Sequence, residues 1–185
     1  MDTIHSFKTY KTAARLNNPI SDSIHTITEL SFIVLRIHTD TNITGESYLL
    51  SFQYSPNAIL GALKDVGEMV IGEKVNNTLS IFEKVNIGNE YFGQEGVNRW
   101  AQAAFNIAIW DAWARKLDQP IWKILGTYRD KIPIYGSGGW LSYNPDELID
   151  EVTDYKKRGF LAVKIKVGKP DWREDLERLK MVREA

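Results

Sequence analysis

Hydrophobic positions, many of them β-branched or aromatic, concentrate in ITELSFIVLRIH, residues 27–38, which reads as a strand. Turn residues TDTN follow, and ITGESYLLSF continues as a second strand. With Ile4–Leu16 these segments predict a three-stranded antiparallel sheet. The period then changes. Ser55-Pro56 is a helix start signal, a serine cap followed by proline at the first helical position, and the helix is expected to run to about Ile71, before Gly72. A second helix is expected over Thr78–Val85. A long third one covers about Val97–Lys116, with Trp100, Ala104, Ile107, Ala108 and Trp110 at helical spacing and Ala101, Ala103 and Ala112 keeping it thin enough to pack closely. Gln119-Pro120 opens a short helix closed by Gly126.

From residue 129 onward the rhythm is strict alternation. KIPIYGS (131–137) reads as a strand, and Asn144-Pro145 opens a helix that Gly159 ends. LAVKIKVG (161–168) is the next strand, and Asp171–Ala185 is an amphipathic helix with Leu176, Leu179 and Val182 on one side. Strands-then-helices followed by βαβα predicts an α+β domain at 1–128 and, at 129–185, the first two units of a parallel β/α structure.

Composition narrows the function more than the fold. The chain is 43% hydrophobic with six tryptophans, enough for a real core, and its 23 basic and 24 acidic residues leave a net charge of −1. No global field attracts nucleic acid or an anionic membrane, so small molecules or protein partners are expected. The absence of cysteine removes disulfides, thiolate nucleophiles and cysteine-based zinc sites, and fits a reducing cytoplasm. The most apolar helical stretch is short and interrupted by Asp111, which gives no membrane span.

The candidate chemistry lies in LAVKIKVG. On a strand, Lys164 and Lys166 point to one face while Val163, Ile165 and Val167 point to the other. One reading is a surface strand with its lysines in water. The other follows from the parallel β/α arrangement: helices cover the outer face, and a lysine pair near the C-terminal end of an inner-facing strand stands where barrels keep their active sites. His5, His25 and His38 lack metal-ligand spacing, and Asp111 reads as a structural hydrogen-bonding group. GSGG lacks the pattern of a dinucleotide or phosphate loop.

An α+β region, then AFNIAIWDAWARKLDQPIWKILG, then a strand, a helix and a K-x-K strand resembles the enolase superfamily, mandelate racemase/muconate lactonizing enzyme family. IYGSGGWL is most similar to its acid-sugar dehydratases, such as the galactarate/talarate dehydratases. The resemblance implies a capping domain and the start of a (β/α) barrel. It implies a lyase or isomerase that removes the proton α to a carboxylate of a hydroxy acid or acid sugar, as a dehydratase or racemase. Lys166 then corresponds to the general base, and Lys164 to the partner that binds the carboxylate and lowers the proton affinity of the base. Ser137 corresponds to a carboxylate contact, though turn chemistry in GSGGW explains it equally. Arg15, in the stretch ARLNNPISDS expected to form a flexible loop over the site, is a candidate substrate contact or a solvated arginine.

The resemblance further implies Mg²⁺ held by three carboxylates at the ends of later barrel strands, which residues 129–185 do not reach, so no metal ligand is assigned here. A barrel of this type takes about 250 residues. The helix DWREDLERLKMVREA reaches Ala185 without a capping signal, and the chain is expected to be the N-terminal part of a longer enzyme, inactive alone. Homo-oligomerisation is also expected. A non-catalytic capping-domain module and a muconate-type cycloisomerase are the alternatives.

Overall fold

The computed structural model describes residues 2–52, 55–93 and 95–185. By their contacts the residues fall into two compact units, one built from residues up to Ala14 with Leu30–Tyr128, the other from Arg15–Glu29 with Arg129–Ala185.

The first unit is a sheet covered by helices. Strands β1 (Ile4–Ser21), β2 (Thr26–Thr39) and β3 (Thr44–Leu50) lie in the order β1-β2-β3. The antiparallel register of β2 on β3 runs from Phe32↔Leu50 to His38↔Thr44. Ile33, Leu35 and Ile37, two apart and so on one face of β2, are fully buried. They share a core with Ile59, Leu63, Val66 and Val70 of α1 (Pro56–Val70), Ile81 and Val85 of α2 (Thr78–Gly88), and the inner face of α3 (Gly96–Leu117). Phe7 of β1 meets Phe105 of α3 edge-to-face at 5.3 Å.

The buried face of α3 matches the expected one in its alanines Ala104 and Ala108 and departs from it at the larger residues. Trp100 and Ile107 are half exposed, while Ala101, Ala104, Phe105, Ala108, Ile109 and Ala112 are buried. Steric economy explains the choice. At Gly45 of β3 an added Cβ would collide with the Ala108 carbonyl oxygen and stand 2.8 Å from the Ala112 Cβ, so only a strip of alanines lets helix and strand approach so closely. Asp111, on the rim of this contact, accepts the Glu46 N–H at 2.9 Å and the Arg115 Nε–H at 2.8 Å, a structural role.

The second unit contains β4 (Gly136–Ser137), α5 (Pro145–Lys157), β5 (Val163–Lys164) and α6 (Trp172–Glu184); α4 (Ile121–Ile124) precedes it in the chain. β4 and β5 are parallel, Gly136 opposite Val163 and Ser137 opposite Lys164. The seven- and eight-residue strands expected from the sequence are therefore cut to two residues each. A parallel pair without a third strand among the described residues has few ladder hydrogen bonds to align it, and Ile132, Ile134 and Leu161 remain exposed. Helix α5 has the full capping box: Asn144 Oδ1 accepts the Glu147 N–H and Glu147 Oε2 accepts the Asn144 N–H, both at 2.9 Å.

The stretch ARLNNPISDS is not a loop. Its residues continue β1 to Ser21, and the chain turns only at Asp22–His25, where the Asp22 carboxylate accepts the Ile24 and His25 N–H groups at 3.0 and 2.8 Å. The continued pairing supplies backbone partners that an isolated polar segment lacks, which overrides the loop-like composition.

Candidate active site

The glycine run after β4 shows how the site loop is made. Each of three glycines meets a bulky neighbour: a Cβ on Gly136 would enter the Tyr155 ring, on Gly138 the Glu151 carboxylate, and on Gly139 the Ile165 side chain. Gly139 also has φ 57°, in the left-handed region. Glu151 of α5 accepts the Gly139 N–H at 2.7 Å and the Tyr143 hydroxyl at 3.3 Å, and the Tyr155 hydroxyl donates to the Ser137 carbonyl at 3.1 Å. From the hairpin end, the Ser21 carbonyl accepts the Leu141 N–H at 2.9 Å. Burial and the Glu151 charge push the Tyr143 and Tyr155 hydroxyls above their ordinary pKa, so both stay protonated as donors.

Against this loop stands the lysine pair. Ser137 and Lys164 are register partners and project from the same face of the two-stranded ladder. Beyond Lys164 the ladder slips by one residue: Gly138 N–H donates to the Lys164 carbonyl, but Lys166 N–H donates to Gly139, both at 3.0 Å. Lys164 is exposed and Lys166 half-buried. The Lys166 Nζ lies 4.9 Å from the centre of the Trp140 ring. Its pKa is held below the ordinary lysine value, first by a hydrogen bond with the Lys164 amine, then by partial burial and by the like charge of Lys164. Asp22 acts in the opposite direction. An amine that loses its proton more readily than a free lysine is the chemical content of this cluster.

The structure therefore places Ser137 and Lys164 on paired positions and joins Lys164 to Lys166. Arg15 lies on β1 with its side chain almost wholly in solvent, 4.0 Å from Glu29. The valines do not form a uniformly covered face, since Val167 is half exposed. Sequence reasoning missed Trp140, Glu151, Tyr155, Arg178 and Asp22. The available signal was the GSGG run itself, because adjacent glycines outside a recognisable turn or phosphate pattern mark close approach by something large. Among the described residues no group of three His, Cys, Asp or Glu side chains is placed to hold a metal ion, so these residues do not fit a Mg²⁺ site and no step is assigned to one. No helix among them is long and apolar enough to cross a membrane.

A three-stranded sheet with a helical layer, followed by a parallel βαβα segment bearing paired lysines, defines an N-terminal capping region and the opening of a β/α domain. Residues 5–126 match the mandelate racemase / muconate lactonizing enzyme, N-terminal domain family, and the chain belongs to it, within the enolase superfamily. It is 30% identical over 160 residues to the L-talarate/galactarate dehydratase of Salmonella typhimurium LT2, covering 86% of this chain and 40% of that protein. It is 28% identical over 167 residues to the 3,6-anhydro-alpha-L-galactonate cycloisomerase of Streptomyces coelicolor, covering 89% and 46% respectively. The solved structure of the Salmonella dehydratase, liganded with Mg and L-lyxarohydroxamate, superposes with a TM-score of 0.89 at 28% identity, over 99% of this chain and 49% of that one. The chain thus spans less than half the length of these curated relatives.

Proposed function

We propose that this chain supplies the proton-abstracting lysine of a dehydratase or racemase acting on a hydroxy acid or acid sugar. The observation that carries the reading is the Lys164–Lys166 pair, in which one amine is exposed and the other is held at a lowered pKa over an aromatic face. Lys164, with the Ser137 hydroxyl beside it, binds the substrate carboxylate. That binding withdraws electron density from the α-carbon and orients its C–H bond. Lys166, as the free amine, takes the α-proton and becomes an ammonium facing Trp140. Arg15, reaching out from β1, is a candidate contact for the distal end of the substrate.

The complete enzyme would need further β/α units to enclose the site, since the chain covers under half of its relatives. Mg²⁺, present in the liganded Salmonella dehydratase, would be held by residues beyond those of this chain. A cytoplasmic homo-oligomer is the setting proposed, on the absence of cysteine and on exposed apolar side chains such as Leu161 and Ile132. Cycloisomerisation is the second reading, favoured by the similarity to the Streptomyces cycloisomerase.

The test, run on the complete enzyme to which this chain would belong, is deuterium exchange at the α-carbon of galactarate, talarate and related acid sugars in D₂O with Mg²⁺, followed by proton NMR. Lys166→Arg keeps the charge but has no proton-free form near neutral pH, so exchange should vanish while binding persists. Exchange at the parental rate in Lys166→Arg would remove Lys166 from the chemistry.

A further inference from the structure

We propose that Trp140 is a positioning residue for the Lys166 amine, and that Arg178 of α6 is the latch that holds Trp140 in place. Arg178 is a buried cation on an otherwise strongly polar helix, 6% exposed. Among the described residues it makes no salt bridge within 4.0 Å; its donors go instead to backbone carbonyls of the site loop. One terminal nitrogen donates to Gly139 and Trp140, both at 3.0 Å, and the other to Tyr143 at 3.3 Å. Burying a guanidinium is costly, and here its two terminal nitrogens offset part of that cost by spanning the loop that carries Trp140, while the buried Nε has no hydrogen-bond partner among the described residues.

The link to Lys166 is direct. The Gly139 carbonyl that Arg178 holds is the same one that accepts the Lys166 backbone N–H. The next residue, Trp140, presents its ring to the Lys166 Nζ at 4.9 Å. Other backbone groups of the loop are tied to the scaffold, Gly138 N–H to Lys164, Gly139 N–H to Glu151 and Leu141 N–H to Ser21, and Tyr143 N–H closes the loop on the Trp140 carbonyl. The ring is therefore carried by a loop pinned from α5, α6 and the hairpin end. Its π face favours the ammonium over the free amine. That opposes the neighbouring Lys164 and keeps Lys166 in one place through the change of charge that a proton-abstracting lysine undergoes. The charged groups acting on Lys166 are Lys164, two residues before it in β5, and Asp22 at the turn after β1. The inference rests on the reading of Lys166 as a base, but its measurement needs no substrate, so the two can fail separately.

The experiment follows the Lys166 amine by NMR of lysine-labelled protein, with the resonance assigned by Lys166→Arg and the fold checked by circular dichroism. Trp140→Leu should lower the pKa of Lys166 by about half a pH unit, the loss of one cation–π contact at a partly exposed site. Arg178→Lys keeps the buried charge but lacks the planar fork, so it should lower the pKa in the same direction by a smaller amount. In the Trp140→Leu background Arg178→Lys should have no further effect. An unchanged Lys166 titration in Trp140→Leu overturns the proposal. So does a fall on Arg178→Lys that is as large without Trp140 as with it, and the absence of any fall on Arg178→Lys overturns the latch. Should Arg178→Lys fail to fold, Trp140→Leu together with Trp140→Phe decides the case, Phe restoring the parental value in part.

Discussion

Replacing Gly139 by alanine should loosen the site loop from β5, by an amount that separates into two terms. The residue has φ 57°, where an L side chain costs about 1–2 kcal/mol. The added Cβ would also press on the Cβ and Cγ2 of Ile165 and stand 3.0 Å from its Cα. Relief requires shifting the backbone around residue 165, and the next residue, Lys166, donates its N–H to the Gly139 carbonyl. Overpacking of this kind costs about 1–3 kcal/mol, for a total of about 2–5 kcal/mol. Gly159 is the internal control. It has φ 84° with nothing within 4 Å of an added Cβ, so Gly159→Ala carries the backbone term alone. Amide hydrogen exchange at Lys166 is the assay. The difference of about 1–3 kcal/mol between the variants corresponds to roughly 5- to 150-fold faster exchange in Gly139→Ala. Gly139→Asn, which tolerates the left-handed region but keeps a Cβ, should recover only the backbone part. Equal exchange in Gly139→Ala and Gly159→Ala would refute the steric argument.

Gly45→Ala should destabilise the first unit by about 1–3 kcal/mol, because the backbone carbonyl of Ala108 stands in the way and cannot rotate aside; a urea midpoint that does not move would contradict this. Asn144→Ala removes one side of the α5 capping box and should cost about 1 kcal/mol, read from the same unfolding curves, with Asn144→Asp largely restoring it. Lys164→Ala removes both the hydrogen bond and the like charge that lower the Lys166 pKa, so that pKa should rise toward the ordinary lysine value. The sign of the linked stability effect follows. A lysine with a depressed native pKa binds fewer protons folded than unfolded, so stability climbs as pH rises from that depressed value to the unfolded one. Unfolding curves across this alkaline window should show the climb in the parent and a flatter profile in Lys164→Ala.

What local chemistry dictates was legible along the chain. The β-branched and aromatic run at 27–38 marked a strand; which face turned inward, that of Ile33, Leu35 and Ile37, is seen in the structure. Asn144-Pro145 marked a helix start because proline fits the first turn and the asparagine side chain satisfies an otherwise orphan N–H. K-x-K announced two lysines close together on extended backbone, although only Lys164 stands in β5 and Lys166 lies just past it. Other features depend on partners distant in sequence. Close packing by the alanines of α3 was legible, but that Trp100 and Ile107 stay half exposed depends on β3 approaching at Gly45, a contact between residues more than sixty positions apart. Arg178 reads as a solvated charge on an amphipathic helix, and only the assembled loop offers it three carbonyls. β1 runs on to Ser21 because a paired strand gives polar residues hydrogen bonds that composition cannot announce. Trp140 could have been one more core aromatic. Its place over Lys166 comes from the slip in the β4–β5 ladder and from the pins on the loop, which are long-range hydrogen bonds and steric contacts and leave no periodic trace in the chain.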